Sequence, residues 1–451
     1  MRKNKLFVVL VSLFTLVILM AGCKGTGPEG ESAGAESEET ESGKTVIDFW
    51  VSWGDSKADW FNKWIDKYNA SQDEVEVKAT FIAGDAWEQR VKAAQAAGTG
   101  PDVMTMNYGS IVFSAQQGKI QPLDEYVDPA IFEDLHDFAN EFVSFDGKHY
   151  AYPFNAEPGS ILLYRKDFFE EAGLDPEQPP ETWDELIEYG KKLSKDGRYG
   201  LTAAGNTNDL AWSHWGLQAM TGQLPISDDW SKATINNEGY KKLFKFWKTL
   251  YDEGIFPKQQ PGMYTEIQPL VDGRTAMMFN GSFTFDALRN EYADVVDKIG
   301  VAPLPTPDGN YKQPTSAMGG WTFVVDGNSK HPEEAAKFIE WFLAGDPEIM
   351  VDFFELSNFS SFTGRKSVDE ALKDHPEASN DEWRKILLEK VIPYAVPEPI
   401  HAWEISLAYA NALERVYLQG QDIDESLKQA EKEINDYIET NDYAGTNPRL
   451  Q

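Results

Sequence analysis

Cysteine is nearly absent from this chain: Cys23 is the single one among 451 residues. A lone thiol closes no intramolecular disulfide and builds no metal site of two or four cysteines. Histidine is sparse too, at positions 136, 149, 214, 331, 375 and 401, and no two stand in the His-x-x-x-His spacing of a zinc-binding helix. Positive charge is in short supply, with 41 Lys and Arg against 74 Asp and Glu and a formal charge of −33. That leaves no basic surface to neutralise phosphates, so nucleic acid is not a partner. Adhesion to anionic lipid through a basic face is disfavoured for the same reason. The chain also lacks a Gly-x-Ser-x-Gly elbow, a phosphate-binding loop and any internal repeat. Neither a cofactor, a metal nor a catalytic residue is expected.

What is there begins with the N-terminus. Met1 to Lys5 carries three cations, and Leu6 to Met20 is a run of 15 mostly apolar residues followed by Ala21-Gly22-Cys23. The run is short of the roughly 20 residues a membrane span needs, and the pattern is that of a secretory signal. Met20-Ala21-Gly22-Cys23 resembles the lipobox of bacterial lipoproteins, with Met20 where Leu is commoner. The resemblance implies removal of residues 1–22 and lipidation of Cys23. Lys24 to Lys44 holds six Glu, much Gly and Ser and no large apolar side chain. Such a segment buries too little to offset its ordering entropy and reads as a flexible acidic tether, residues 23–44 with the anchor.

The body has ample apolar content, 41% hydrophobic and 13% aromatic with 14 Trp, and its length suits two domains. Strands are expected at Val46–Val51, Val75–Ile82 and Val103–Met106, alternating with amphipathic helices near 57–69 and 87–97. This order predicts a parallel α/β sheet. Ile161–Tyr164 and Ala276-Met277-Met278-Phe279 read as further strands, the latter ending abruptly at Asn280-Gly281-Ser282. Thr182 with Glu185 forms a capping box opening a helix to Leu193. Pro332 suits a first helical position, and the tail from Ser406 to Tyr443 is helical with a break at Gly420.

Several of these stretches, in this order, resemble the extracellular solute-binding proteins of ATP-binding-cassette importers, the carbohydrate-binding class that includes the maltose-binding protein. They are Gly100-Pro101-Asp102-Val103, Gln121-Pro122-Leu123-Asp124, Tyr152-Pro153, Leu162 to Leu186, Asp272 to Ser282 and Ser329 to Glu348. The resemblance implies an α/β fold of two lobes joined by a hinge, with a ligand cleft between them. Lobe boundaries drawn from the turns at Asp146-Gly147 and Pro303–Pro307 are 45–145 plus 305–345 and 146–304 plus 346–451. It implies further a carbohydrate ligand, a permease partner, a monomer, and a place on the outer face of the bacterial cytoplasmic membrane.

A sugar offers apolar C–H faces and a fringe of hydroxyls, which aromatic rings and carboxylate or amide groups respectively can meet. Candidates at strand ends are Trp53, Asp55, Asn107 and Tyr108. The resemblance adds Glu157, Phe283 in place of a stacking Trp, and Trp403 in Pro399-Ile400-His401-Ala402-Trp403. Gly109 replaces a carboxylate of the maltose-binding member. Trp321 follows Gly319-Gly320, glycines that would let backbone approach a ligand. Trp212 is a further candidate and Trp215 a weaker one. Trp60, Trp64, Trp183, Trp247 and Trp341 lie on helical faces and read as packing, and Asp102 as a structural cap. Rival functions are binding of a peptide or polyamine, the latter wanting several carboxylates beside the rings, and a secreted glycoside hydrolase, which needs two carboxylates about 5–10 Å apart.

Overall fold

The structure is a computed structural model and describes residues 43–53, 57–261 and 266–450. Cys23, the signal, nearly all of the tether and Asp55 lie outside the described residues.

Thirteen strands form two main sheets and a hairpin among the described residues. The first sheet is built from β1 (Thr45–Val51), β2 (Val75–Phe81), β3 (Val103–Asn107) and β4 (Ile120–Gln121). A small hairpin pairs β5 (Ser144–Phe145) with β6 (Lys148–His149), and β7 (Tyr152–Pro158) follows. The second sheet takes β8 (Ile161–Arg165), β9 (Tyr199–Thr202), β10 (Thr275–Asn280) and β11 (Ile299–Ala302). The chain then returns to the first sheet with β12 (Ala317–Asp326) and β13 (Val396–Pro397). The first sheet runs β13-β12-β3-β1-β2 with β4 and β7 also on β12, and the second runs β11-β8-β10-β9. As the alternation of elements predicts, β1 pairs parallel with both β2 and β3. The long β12 runs antiparallel to β3 and β7 and holds that side of the lobe together.

Alternation along β1 buries Ile47, Phe49 and Val51 completely. Against them pack Phe61 from the helix Ala58–Ser71, Phe323 of β12 and Phe338, with Phe49 and Phe323 ring centroids 4.8 Å apart. In the second lobe all six residues of β10 are buried, as its unbroken apolar run requires. Trp247 lies at the heart of that core, 5.0 Å from Phe256 and 4.4 Å from the His214 ring. Of the tryptophans read as packing, Trp60, Trp183 and Trp247 are buried, while Trp64 and Trp341 lie half-buried on the first core. The capping box at Thr182 and Glu185 forms with both its hydrogen bonds. Asp102 accepts from the Asp48 N–H and the Ser329 hydroxyl, a structural role.

The chain passes between lobes elsewhere than the turns suggest. Asp146-Gly147 is only the tip of the β5–β6 hairpin, both residues at positive φ as a two-residue turn wants. The passage comes at Gly159, after β7 has paired with β12 in the first sheet. Pro303–Pro307 lies within the second lobe, where the Thr306 carbonyl accepts from the Trp183 N–H. Segment 346–378 returns its apolar side chains to the first core, Phe353 packing 5.0 Å from Trp60. Pro376 near its end only opens a short helix, so packing alone reveals the assignment.

Three crossing segments run side by side. Ser316 accepts from the Ser160 N–H through its hydroxyl and from the Val396 N–H through its carbonyl, while the Gly159 N–H bonds the Ala317 carbonyl. Gly216 packs directly onto this junction, where a Cβ would sit 2.6 Å from the Ser316 Cα.

Replacing Trp247 with Ala removes a fully buried indole and should cost about 3–5 kcal/mol. Urea unfolding should read this as a lower midpoint, with the second lobe's tryptophan fluorescence lost first.

Candidate functional site

The cleft-facing side of the first lobe is assembled at the carboxyl ends of β1 and β3 and along β12. Trp53, two residues beyond β1, packs edge-on against Trp321 at 5.2 Å and against Phe154 at 5.3 Å. Trp321 stands opposite Asn107 on one neighbouring strand and Asn155 on the other, and Glu157 stands opposite Gly319. Asn107 caps the helix Tyr108–Gln116 by accepting from the Ser110 N–H at 3.0 Å. Tyr108, expected to face a ligand, is fully buried and packs on Phe142 at 4.8 Å. Its place at the first helical position turns the ring into the core instead.

A residue that sequence reasoning passed over completes this floor. Glu398 sits in Pro397-Glu398-Pro399, its N–H bonded to the Met318 carbonyl at 3.0 Å. Its carboxylate occupies the space above two glycines. A Cβ on Gly109 would lie 2.8 Å from Oε1, and one on Gly319 would lie 3.1 Å from Oε2. The room at Gly319 is therefore taken by this side chain, where a ligand's approach to backbone was expected. The Gly109 N–H, near a helix N-terminus, favours the charged carboxylate. The signal in the sequence was the missing carboxylate at Gly109 together with a Glu held between two prolines.

Burial pushes Glu157 up to about 7. Burial pushes Glu398 up to about 8, with the Glu157 charge adding to the rise and the Gly109 N–H opposing it. Both side chains nevertheless keep some exposure. Among the described residues neither is paired with Lys, Arg or His.

From the second lobe, Trp212 and Phe283 approach each other at 6.3 Å and 46°. Trp212 reaches the crossing, its Cζ3 3.9 Å from where a Gly159 Cβ would be, and Phe283 folds over Gly281. Trp215 is buried, its indole N–H bonded to the Ser406 hydroxyl, and serves packing. Trp403 opens the helix Trp403–Tyr417 five residues after Glu398 and is 40% exposed, with no aromatic ring against it among the described residues. So Trp53, Trp321, Asn107, Glu157 and Glu398 are grouped on one lobe and Trp212 with Phe283 on the other, while no ring contact among the described residues ties Trp403 to either group. Across the rims, Lys57 forms a 2.6 Å ion pair with Asp286, which also accepts from the Asn358 amide.

The model of the bacterial extracellular solute-binding proteins matches residues 63–385. This chain belongs to that family. Among curated relatives, a maltotriose-binding protein of Pyrococcus abyssi is 27% identical over 322 residues, 70% of this chain and 65% of that protein. A mannitol-binding protein of Pseudomonas aeruginosa is 25% identical over 61% of this chain and 63% of its own length. The chain thus spans about two thirds of the curated relatives it matches. Solved structures agree on the two-lobed fold. A cyclic alpha-maltosyl-1,6-maltose binding protein from Arthrobacter globiformis superposes with a TM-score of 0.72 at 24% identity, covering 88% of this chain and all of that one. A solute-binding protein from Thermotoga lettingae bound with alpha-D-tagatose gives 0.74 at 23% identity, with 87% and 99% covered.

The paired acids give this solute-binding protein a pH signature. Both folded-state values lie above the roughly 4.3 of an unfolded Glu, so between that pH and about 8 the folded state holds the extra protons. Stability of the ligand-free protein should then fall as pH rises through this window and level off above it. Thermal melts at pH 5.5 and 8.5 should show this loss in the wild type and a distinctly smaller one in Glu398→Gln.

Proposed function

We propose that the protein is a lipid-anchored receptor that captures a carbohydrate, an oligosaccharide like the maltotriose named in one relative, and delivers it unchanged to an ATP-binding-cassette importer. The observation that carries this reading is the pairing of aromatic surfaces on both lobes, Trp53 with Trp321 and Trp212 with Phe283, over a floor of carboxylate and amide groups. Rings cover C–H faces while the acids and amides take hydroxyls. The maltotriose and mannitol named in two relatives support the same ligand class. The lipobox-like Met20 to Cys23 and the acidic tether support anchoring at the outer face of the cytoplasmic membrane, with the permease as partner and the monomer as working unit.

Ligand held by both lobes shifts an open–closed equilibrium, because only the closed form makes both sets of contacts. Glu157 and Glu398 bring the hydrolase reading back into view, since a glycosidase also uses two acids. Hydrolysis wants one acid protonated and its partner ionised, and recovery of the intact sugar separates the two readings.

A thermal-shift screen against mono- and oligosaccharides, with tryptophan fluorescence as a second readout, tests the proposal. A saccharide that raises the melting temperature should be recovered intact after prolonged incubation; cleavage products would overturn the receptor reading. With that ligand, Trp321→Ala and Trp403→Ala should each weaken binding at least tenfold, about 1.4 kcal/mol, with folding retained. Unchanged affinity in calorimetry would remove the residue from the site. Mass spectrometry of the mature N-terminus should find a diacylated Cys23, and an unmodified thiol would remove the anchor.

A further inference from the structure

We propose that the captured solute carries a protonated amine and that Glu398 and Glu157 together hold it. The inference rests on the interlobe cleft being the solute site and goes on to name the chemical group that site selects. Glu398 is lodged above Gly109 and Gly319, and Glu157 stands directly across the strand pair from Gly319. The two carboxylates are near enough that the charge of one bears on the other. No cation of the protein answers them among the described residues. Lys57, at the cleft rim, is already committed to Asp286.

One further polar group in the same place lacks a partner. The Asn155 Oδ1 is unpartnered in a residue only 5% exposed, two positions before Glu157 on β7. The carboxylate oxygens and Asn155 Oδ1 are all acceptors. An ammonium brings three donors and no acceptor, so it meets this set without leaving a lone pair facing a lone pair. A sugar hydroxyl brings one donor and no positive charge, so the two close acids must be neutralised by protons instead, whereas an ammonium supplies the compensating charge itself. Trp53 and Trp321 beside them add ring faces that also favour a cation. A bare metal ion fits less well, since no group of three His, Cys, Asp or Glu capable of holding one occurs among the described residues.

An ammonium can arrive on an amino sugar or on a linear polyamine, and calorimetry on the purified full chain separates the two. The probes are the β-1,4-linked disaccharide of glucosamine, its di-N-acetyl form, and spermidine, each titrated at pH 7.5 and at low and high salt. The free-amine disaccharide should bind at least tenfold more tightly than its acetylated form, and Glu398→Gln should erase that preference. Tight spermidine binding, lost in Glu398→Gln, with weak disaccharide binding would support the ammonium site and assign it to a polyamine. Glu157→Gln is the second variant should Glu398→Gln melt early, and it should narrow the same preference. Equal or tighter binding of the acetylated or another neutral saccharide, with an amine-to-neutral ratio unmoved by either variant, would overturn the proposal while leaving carbohydrate capture standing. Failure of every amine probe to bind would overturn it too.

Discussion

The architecture hangs on a few hydrogen bonds at Ser316. Three separate passages of chain between the lobes lie next to one another there, joined through the Ser160 N–H, the Val396 N–H and the Gly159 N–H to the Ala317 carbonyl. A single passage would act as a loose tether with many relative orientations. Three that are hydrogen-bonded together leave a bending motion and little else, which is what hinged closure needs. The tight seating of Gly216 on Ser316 adds a steric stop, because any side chain there would separate a second-lobe helix from the junction.

The junction also delivers the floor of the cleft. Glu157 precedes one passage by two residues and Glu398 follows another by two, so both carboxylates are carried on backbone that the sheet holds rigidly. Glu398 takes the volume that a side chain at position 109 would fill, and no residue larger than Gly can stand at 109 without displacing it. The acid is thus supplied from a segment far along the chain. A site defined by volume and charge can keep its chemistry while the chain segment that provides it changes.

How far the sequence discloses this depends on the kind of signal. Periodic apolar patterns give the strands and helices of the first lobe closely: Val46–Val51 appears as Thr45–Val51 and Val103–Met106 as Val103–Asn107. Local capping chemistry at Thr182 is equally legible, since its hydrogen bonds span three residues. Lobe membership is not, because Asp146-Gly147 looks the same whether a turn ends a hairpin or a domain. Trp53 and Trp321 are legible from the ends of strands and Glu157 from the family resemblance, and the structure groups them. Tyr108 fails because a residue just past a strand can face either the cleft or the helix core. The roughly 150 Å² or more of surface that an aromatic side chain hides favours burial when a core ring such as Phe142 is near. Glu398 is invisible to short-range reasoning, since its meaning comes from Gly109 and Gly319.

Closure itself is balanced finely. The Lys57–Asp286 pair joins the rims at 2.6 Å, Asp286 also accepts from Asn358, and the Asn358-Phe359 turn holds both residues at positive φ. Left-handed non-glycine backbone costs on the order of 1 kcal/mol or more per residue, and a solvent-accessible ion pair returns about 0–1 kcal/mol. The backbone cost is carried whichever way the lobes sit, and an ion pair of this size guides how they meet without holding them shut. Taking a two-state hinge from 1:99 to 99:1 requires about 5.5 kcal/mol of differential affinity. On the proposed function, a solute reaching from Trp53 and Trp321 to Trp212 and Phe283 while satisfying the acids on the floor supplies that, and the closed conformation is then tied to occupancy.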